Sequence, residues 1–321
     1  MKKVNKVLDL KDPQIKYKNN SPISVEICNV RHSPVHYHAS DLELIYCLEG
    51  EVNIRRNHAI DTLKKGQLFT IDFEDIHCMF SDTDNLLIIL HIDMKKLKTP
   101  REYIQYIYFS CEDAYCQHFQ QIPLQQIKNM ILAAAFLYTK NNGLPPKESD
   151  RIANKITDVL LEYFDWFNSF TNAPGSNNEI RKRFQAISKY CRTNLRKKVT
   201  ISDLAKTVHI NENYLSQFIR KSPYGSFSNM MGFIRCYVSQ YLLLSTDYSV
   251  IDISNMCGFS DDKYYYKHFK LAWRQTPNEL RQWYKEYIQT KDEITQISND
   301  EAYKILEPYA AEYFSQHILA L

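Results

Sequence analysis

The residues best equipped for chemistry stand close together in the first quarter of the chain. His36, His38 and Glu43 follow one another as H-x-H-x4-E in HYHASDLELIYCLEG, which ends at Gly50, and His77 follows in GQLFTIDFEDIHCMFS. Two histidines at i and i+2 on a strand point to the same face. With a carboxylate and a third imidazole from neighbouring strands they form an N3O donor set that suits Fe, Mn, Ni or Zn. The same four side chains, with Tyr37 and Tyr46 in a pocket wall, equally suit hydrogen bonding to the hydroxyls of a sugar or similar effector. A third reading makes Glu43 the partner of a nearby histidine in a structural polar cluster. No residue is assigned a catalytic role, and no cofactor is expected beyond the metal alternative.

These residues need a rigid frame, and the pattern around them is strand-like. From Val25 to Ile92 the runs ISVEICNV, LELIYCLEG, EVNIRRN, GQLFTIDF and NLLIILHID are β-branched and aromatic, separated by Gly, Asn, Asp and Ser, as in an antiparallel sandwich or barrel. From about Glu102 the period becomes helical. Residues 123–140 and 148–170 carry apolar stripes, with Pro123 suited to a first turn and Ser149 and Asp150 to a cap. In the second stretch Ile152, Ile156, Val159, Leu160, Tyr163, Phe164 and Phe167 share a face that either packs on the β domain or forms a dimer interface.

The expected organisation is α+β. Residues 1–100 form a barrel, 101–170 a helical segment for dimerisation or linkage, 171–178 a Pro/Gly/Asn linker, 179–285 an all-α domain and 286–321 a helical extension, interrupted near Pro308, with no functional reading. The longest apolar runs fall far short of the roughly 20 residues that span a bilayer. The lysine-bearing start MKKVNKVLDLKD lacks the apolar core of a secretory signal. The eight cysteines are scattered without a C-x-x-C pair, as expected of reduced thiols. A cytoplasmic protein without membrane contact is expected.

The net charge of +3 is unevenly divided: residues 179–285 hold 18 Lys and Arg against 8 Asp and Glu. That segment carries roughly +10 and the remainder roughly −7, so a polyanion-binding module is attached to an acidic partner. Within the basic half, VTISDLAKTVHINENYLSQFIRKSP (199–223) has the outline of a helix-turn-helix. Ile201, Leu204 and Ala205 mark a bracing helix, His209 to Glu212 a turn, and Tyr214, Leu215, Phe218 and Ile219 the buried face of a second helix. The outline recurs at 250–280, with Ile251 and Ile253 on the bracing helix, Gly258 at the turn and Phe259 between helices. Tyr265, His268 and Phe269 lie inward on the following helix. One helix from Ser226 to Leu244 joins the units and spans about 28 Å, close to the roughly 34 Å between successive major grooves.

Arg235, Ser239, Leu242 and Leu243, followed by D-I-S-x3-GFSD-x2-YY-x3-FK (Asp252 to Lys270) and TP-x3-R (Thr276, Pro277, Arg281), resemble the double helix-turn-helix domain of AraC family transcription regulators over Ile187 to Arg281. The resemblance implies base contacts from Asn213, Ser216 and Gln217 in the first unit and from Asp262, Lys263, Tyr264 and Lys267 in the second. Arg220, Lys221 and Lys270 would lie nearer phosphates. It also implies double-stranded DNA as partner, with RNA polymerase contact and a homodimer. Three positions depart from the family pattern. Ser239 replaces an alanine, Gln217 stands where arginine is common, and Arg274 replaces the glycine that ends the second recognition helix.

The N-terminal half is similar to a cupin barrel, the usual sensor of this family. His36, His38, Glu43 and Gly50 match its first motif, though Val30 stands where that motif begins with Gly. Gly66 and His77 match the second, while Asp72, Glu74 and Ser81 replace its Pro, Gly and Asn. The preferred function is a sequence-specific DNA-binding transcription regulator, not an enzyme, whose barrel senses a small molecule or mediates dimerisation. The alternative is a metal-binding cupin enzyme with an appended helical domain.

Overall fold

The computed structural model describes residues 13–57, 59–97, 104, 107–165, 178–287 and 292–317. They divide between two compact units, one of Asp12–Ser169 with Lys291–Leu321 and the other built on Phe170–Thr290. The linker expected at 171–178 lies outside the described residues except for Asn178, as does Phe167.

In the first unit the β-branched runs form seven antiparallel strands: β1 (Ile23–His32), β2 (Asp41–Glu49), β3 (Glu51–Arg56), β4 (Ala59–Lys64), β5 (Leu68–Ile71), β6 (His77–Phe80) and β7 (Leu86–Asp93). They are ordered β4-β3-β6-β1-β7-β2-β5. Period-2 alternation places two buried surfaces on the same strands. Leu42, Leu44, Tyr46 and Leu48 of β2 join Ile88, Leu90 and Ile92 of β7 in a core shared with the helices. Ile45 and Cys47 join Leu87, Ile89, Val52, Ile54 and Met79 in a second core inside the barrel. Glu43 and His91 are directly cross-strand neighbours, and by alternation both belong to the inner face. Gly50 turns β2 into β3 at φ +74°, where an added Cβ would lie 2.4 Å from the Asp84 carbonyl oxygen.

Helix α1 (Gln121–Asn141) and helix α2 (Pro146–Val159), continued by a π-helical turn at Leu160–Phe164, cover the outer face. The cap expected at Ser149 and Asp150 is displaced: Pro145 and Pro146 start the helix one turn earlier, and the Ser149 hydroxyl donates back to the Pro146 carbonyl at 3.0 Å. Proline's fixed φ is preorganised for a first turn. Ile152, Ile156, Val159, Leu160 and Phe164 are buried in the core that includes strand residues of the barrel. The stripe's use as a dimer interface is therefore corrected: it packs on its own β domain.

The C-terminal stretch holds a strand that sequence periodicity does not reveal. Glu293–Gln296, β8, pairs antiparallel with Cys28 to His32 of β1. The following helix, Asn299–His317, runs through Pro308 rather than breaking there. Its Ala302 and Leu306 are buried with α1 residues, and Tyr303 stacks on Phe136 with ring centroids 5.1 Å apart.

The second unit is helical: α3 (Asn178–Thr193), α4 (Ile201–Thr207), α5 (Glu212–Lys221), α6 (Phe227–Ser245), α7 (Val250–Met256), α8 (Asp262–Trp273) and α9 (Pro277–Tyr287); the helix at Asn299–His317 is α10. Each short helix has a side-chain cap of the type that satisfies first-turn amides. Thr200 and Asp203 form a reciprocal capping box, Asn211 caps α5, Ser249 accepts from the Asp252 amide, and Asp261 caps α8.

Candidate metal centre and nucleic-acid interface

His36, His38, Glu43 and His77 come together as the sequence expects. All four are buried, and one potential ligand atom from each lies within 4.8 Å of all the others. A bridge between His36 and His77 holds the loop after β1 against the start of β6. The Nε2 atoms of His38 and His77 lie 2.9 Å and 3.0 Å from Oε2 of Glu43.

Two of the histidines have their orientation set by the backbone. Nδ1 of His36 is 2.8 Å from the Pro34 carbonyl oxygen, and Nδ1 of His77 is 3.0 Å from that of Asp75. A carbonyl only accepts, so each Nδ1 carries the proton, and in a neutral ring Nε2 is then a bare lone pair. At His77 that lone pair stands beside a carboxylate oxygen. Two acceptors at 3.0 Å require positive charge between them, either a second proton that makes His77 an imidazolium or a bound cation. Nε2 of His38, Nε2 of His77 and Oε2 of Glu43 are buried without a hydrogen bond of acceptable geometry despite their short separations. These atoms converge on shared space rather than on one another.

The electrostatics agree. Burial raises the Glu43 carboxyl, but the charge of His77 and the other facing imidazoles outweigh it and hold the group well below the usual carboxylate range. Burial, with His77 and His38 beside it, keeps His36 well below the ordinary histidine value and favours the neutral, ligating form. The donor set and its orphaned atoms fit a divalent transition ion held by His36, His38, Glu43 and His77. Atoms this close cannot admit a sugar ring between them.

Two expectations change. Tyr46 is buried in the core beneath the helices, on the face of β2 opposite Glu43, because side chains alternate along a strand. It is not part of the cluster. Tyr37 is half-buried between the two histidines. A residue not anticipated, His91, joins from β7: its Nε2 is 3.7 Å from Oε2 of Glu43 and its ring is edge-on to His38 at 4.9 Å. Its signal was available in NLLIILHID, where His91 is in phase with the inward-facing Leu87 and Ile89.

In the helical unit, α4 and α5 and then α7 and α8 form two helix-turn-helix pairs joined by α6. The turn of the first is made by His209 at φ 53° and that of the second by Gly258 at φ 84°. Gly258 is also a close approach: an added Cβ would meet the Leu195 carbonyl oxygen at 2.3 Å. Each pair is braced by an arginine from a different helix. Arg235 donates from Nε to the Leu195 carbonyl at 2.8 Å and from Nη2 to that of Lys197 at 3.0 Å. Arg281 donates likewise to Leu243 at 2.8 Å and Tyr248 at 2.9 Å. Arg235 thus holds two carbonyls of the α3–α4 loop, and Arg281 holds one in the last turn of α6 and one in the segment after it.

Leu215 and Ile219 of α5 are buried, but Tyr214 is not, contrary to the expected inward face; its hydroxyl accepts from Arg183 at 2.8 Å. Phe218 is half-buried. On α8, Tyr265, His268 and Phe269 point inward as expected. Asn213, Gln217, Arg220 and Lys221 on α5 are exposed and Ser216 is half-exposed, while Asp262, Lys263, Tyr264, Lys267 and Lys270 on α8 are all exposed. Each helix thereby presents a polar, largely cationic face next to an apolar one.

No protein-family model matches the chain. An HTH-type transcriptional regulator of Staphylococcus aureus, itself uncharacterized, is 20% identical over 244 residues, which is 75% of this chain and 31% of that protein. The Msm operon regulatory protein of Streptococcus mutans is 28% identical over 127 residues, 40% of this chain and 44% of the relative. The chain is thus similar over part of its length to proteins named as transcriptional regulators. It spans about a third of the length of the Staphylococcus relatives it matches and less than half of the Msm protein. Among solved structures, fatty-acid-bound ToxT of Vibrio cholerae aligns with a TM-score of 0.40 at 12% identity, covering 83% of this chain and 97% of ToxT. Among the described residues, no helix is long and apolar enough to cross a membrane.

Proposed function

We propose that the chain is a sequence-specific DNA-binding transcription regulator whose barrel binds a divalent metal ion as its effector. The observation that carries the DNA-binding half is the pair of capped, arginine-braced helix-turn-helix units with exposed polar faces, in a segment with a large cationic excess. On this reading Asn213, Ser216 and Gln217, with Asp262, Lys263, Tyr264 and Lys267, read base edges, and Arg220, Lys221 and Lys270 hold phosphates. The relatives named as transcriptional regulators support the same reading.

For the barrel, the separation of the Glu43 and histidine atoms favours an ion over the sugar-like effector that the sequence suggests. When bound, the ion supplies the positive charge that two facing acceptors need, and its preference for one arrangement of the regulator supplies the switching energy. His36 and His77 hold their lone pairs inward through backbone carbonyls, and Glu43 contributes the anionic oxygen.

Mobility-shift titrations against promoter fragments, the gene's own among them, test the reading. Affinity falls steeply with salt, and Lys263→Ala and Lys267→Ala each weaken binding and flatten the log–log salt slope by about 1. Salt-insensitive binding, or binding to none of the fragments, overturns the DNA-binding assignment. Metal analysis of protein purified without a histidine tag tests the barrel separately.

A further inference from the structure

His91 lies outside the four residues that the H-x-H-x4-E and His77 pattern brings together, yet it shares their space. It is cross-strand from Glu43, buried, and directed at the same Oε2 on which His38 and His77 converge. At 3.7 Å its Nε2 is too far for a hydrogen bond to that oxygen, and its Nδ1 is buried with no partner. Its ring also stands edge-on to His38, with centroids 4.9 Å apart.

We propose that His91 is a fifth protein donor to the ion, and that it closes the coordination sphere. The inference rests on the reading that His36, His38, Glu43 and His77 hold a metal. On a five-coordinate ion, four protein donors leave one position open to water or to a substrate, and metal catalysis requires such an open position. A fifth imidazole on the inner wall takes that position. The same barrel chemistry that would make an enzyme with four donors then makes a sensor with five, because the ion is held without being presented to anything else.

The test uses the full chain, stripped with chelator and titrated with Co2+, whose d–d absorption reports the number and kind of its ligands. The wild type takes up one equivalent and its spectrum is unchanged by excess azide. His91→Ala shifts the band, lets azide alter it further, and weakens Co2+ binding roughly 10–100-fold. His91→Gln, which keeps a polar side chain of similar size, gives the same spectral shift while retaining the wild-type thermal transition in the absence of metal. Azide perturbing the wild-type band overturns the proposal, as does a wild-type spectrum in both variants. If the wild type binds no Co2+, the ion reading of the barrel falls with it. DNA binding is measured on the same preparations: a chain that binds Co2+ as described but no DNA refutes the regulator assignment and leaves the His91 proposal standing.

Discussion

Tyr265 donates its hydroxyl to Ser239 across the α6–α8 contact at 2.9 Å, and Ser239 passes its own proton to the Cys236 carbonyl at 2.6 Å. Both residues are completely buried. The serine that departs from the family's alanine therefore has a purpose: it satisfies a phenol that would otherwise be sealed from water. Ser239→Ala leaves the Tyr265 hydroxyl without this acceptor and costs about 1–3 kcal/mol of stability. The double variant Ser239→Ala/Tyr265→Phe recovers much of that loss. Urea denaturation of the four proteins closes the cycle, and additive losses would show that the two hydroxyls do not interact.

Arg274 ends α8 in the left-handed region, at φ 57° and ψ 9°. A side chain there is disfavoured by about 1–2 kcal/mol relative to glycine. Arg274→Gly raises the stability of the helical unit by about 1 kcal/mol, read as a higher urea midpoint at unchanged slope. A midpoint that stays or falls means the arginine makes compensating contacts.

Gly258 faces the opposite outcome, since its φ is positive and the space where a Cβ would stand is occupied by the Leu195 carbonyl oxygen. Gly258→Ala combines backbone strain of about 1–3 kcal/mol with displacement of the α3–α4 loop. Because Arg235 holds that same loop, DNA affinity falls along with the thermal midpoint. Wild-type affinity in a destabilised variant would separate the loop from the binding surface.

His268 is packed on Gly232, whose missing Cβ makes room for the imidazole. Burial, with Lys267 and Arg235 nearby, holds its pKa below the ordinary histidine value of 6.5. A depressed histidine is neutral in the folded state, so its contribution is fully present above the unfolded pKa and is lost as pH falls through the folded one. Melting temperatures therefore decline between pH 7 and pH 5, and His268→Gln flattens that decline. An equally steep decline in the variant would assign the pH dependence to other groups.

Much of this was legible because it follows from period and composition. The strands around Glu43 alternate cleanly, Thr200, Asn211, Ser249 and Asp261 announce helix starts, and the charge excess marks the helical unit. What was hidden needed three dimensions. His91 is 48 residues from Glu43 in sequence and meets it only through strand pairing. Tyr46 suits a pocket wall or a packed core equally by type, and only the pairing of β2 shows that its face is the one under the helices. β8 is four exposed residues, EITQ, too short and too polar for any period to show, and only the edge of β1 makes it a strand. Arg235 and Arg281 were visible as motif residues, but their bonds to carbonyls far away in sequence were not.

The pairing of β8 with β1 and the packing of α10 on α1 also set an order of events during synthesis. The barrel's last strand and last helix leave the ribosome only after the whole helical unit, about 130 residues later, on the order of ten seconds at ordinary elongation rates. Until then β1 offers an unpaired edge, a template for mispairing, and α1 an uncovered apolar face. A message cut short after Tyr287 yields the whole helical unit attached to a barrel that lacks β8 and α10. The chain order makes closure of the barrel's β1 edge wait on synthesis of the helical unit.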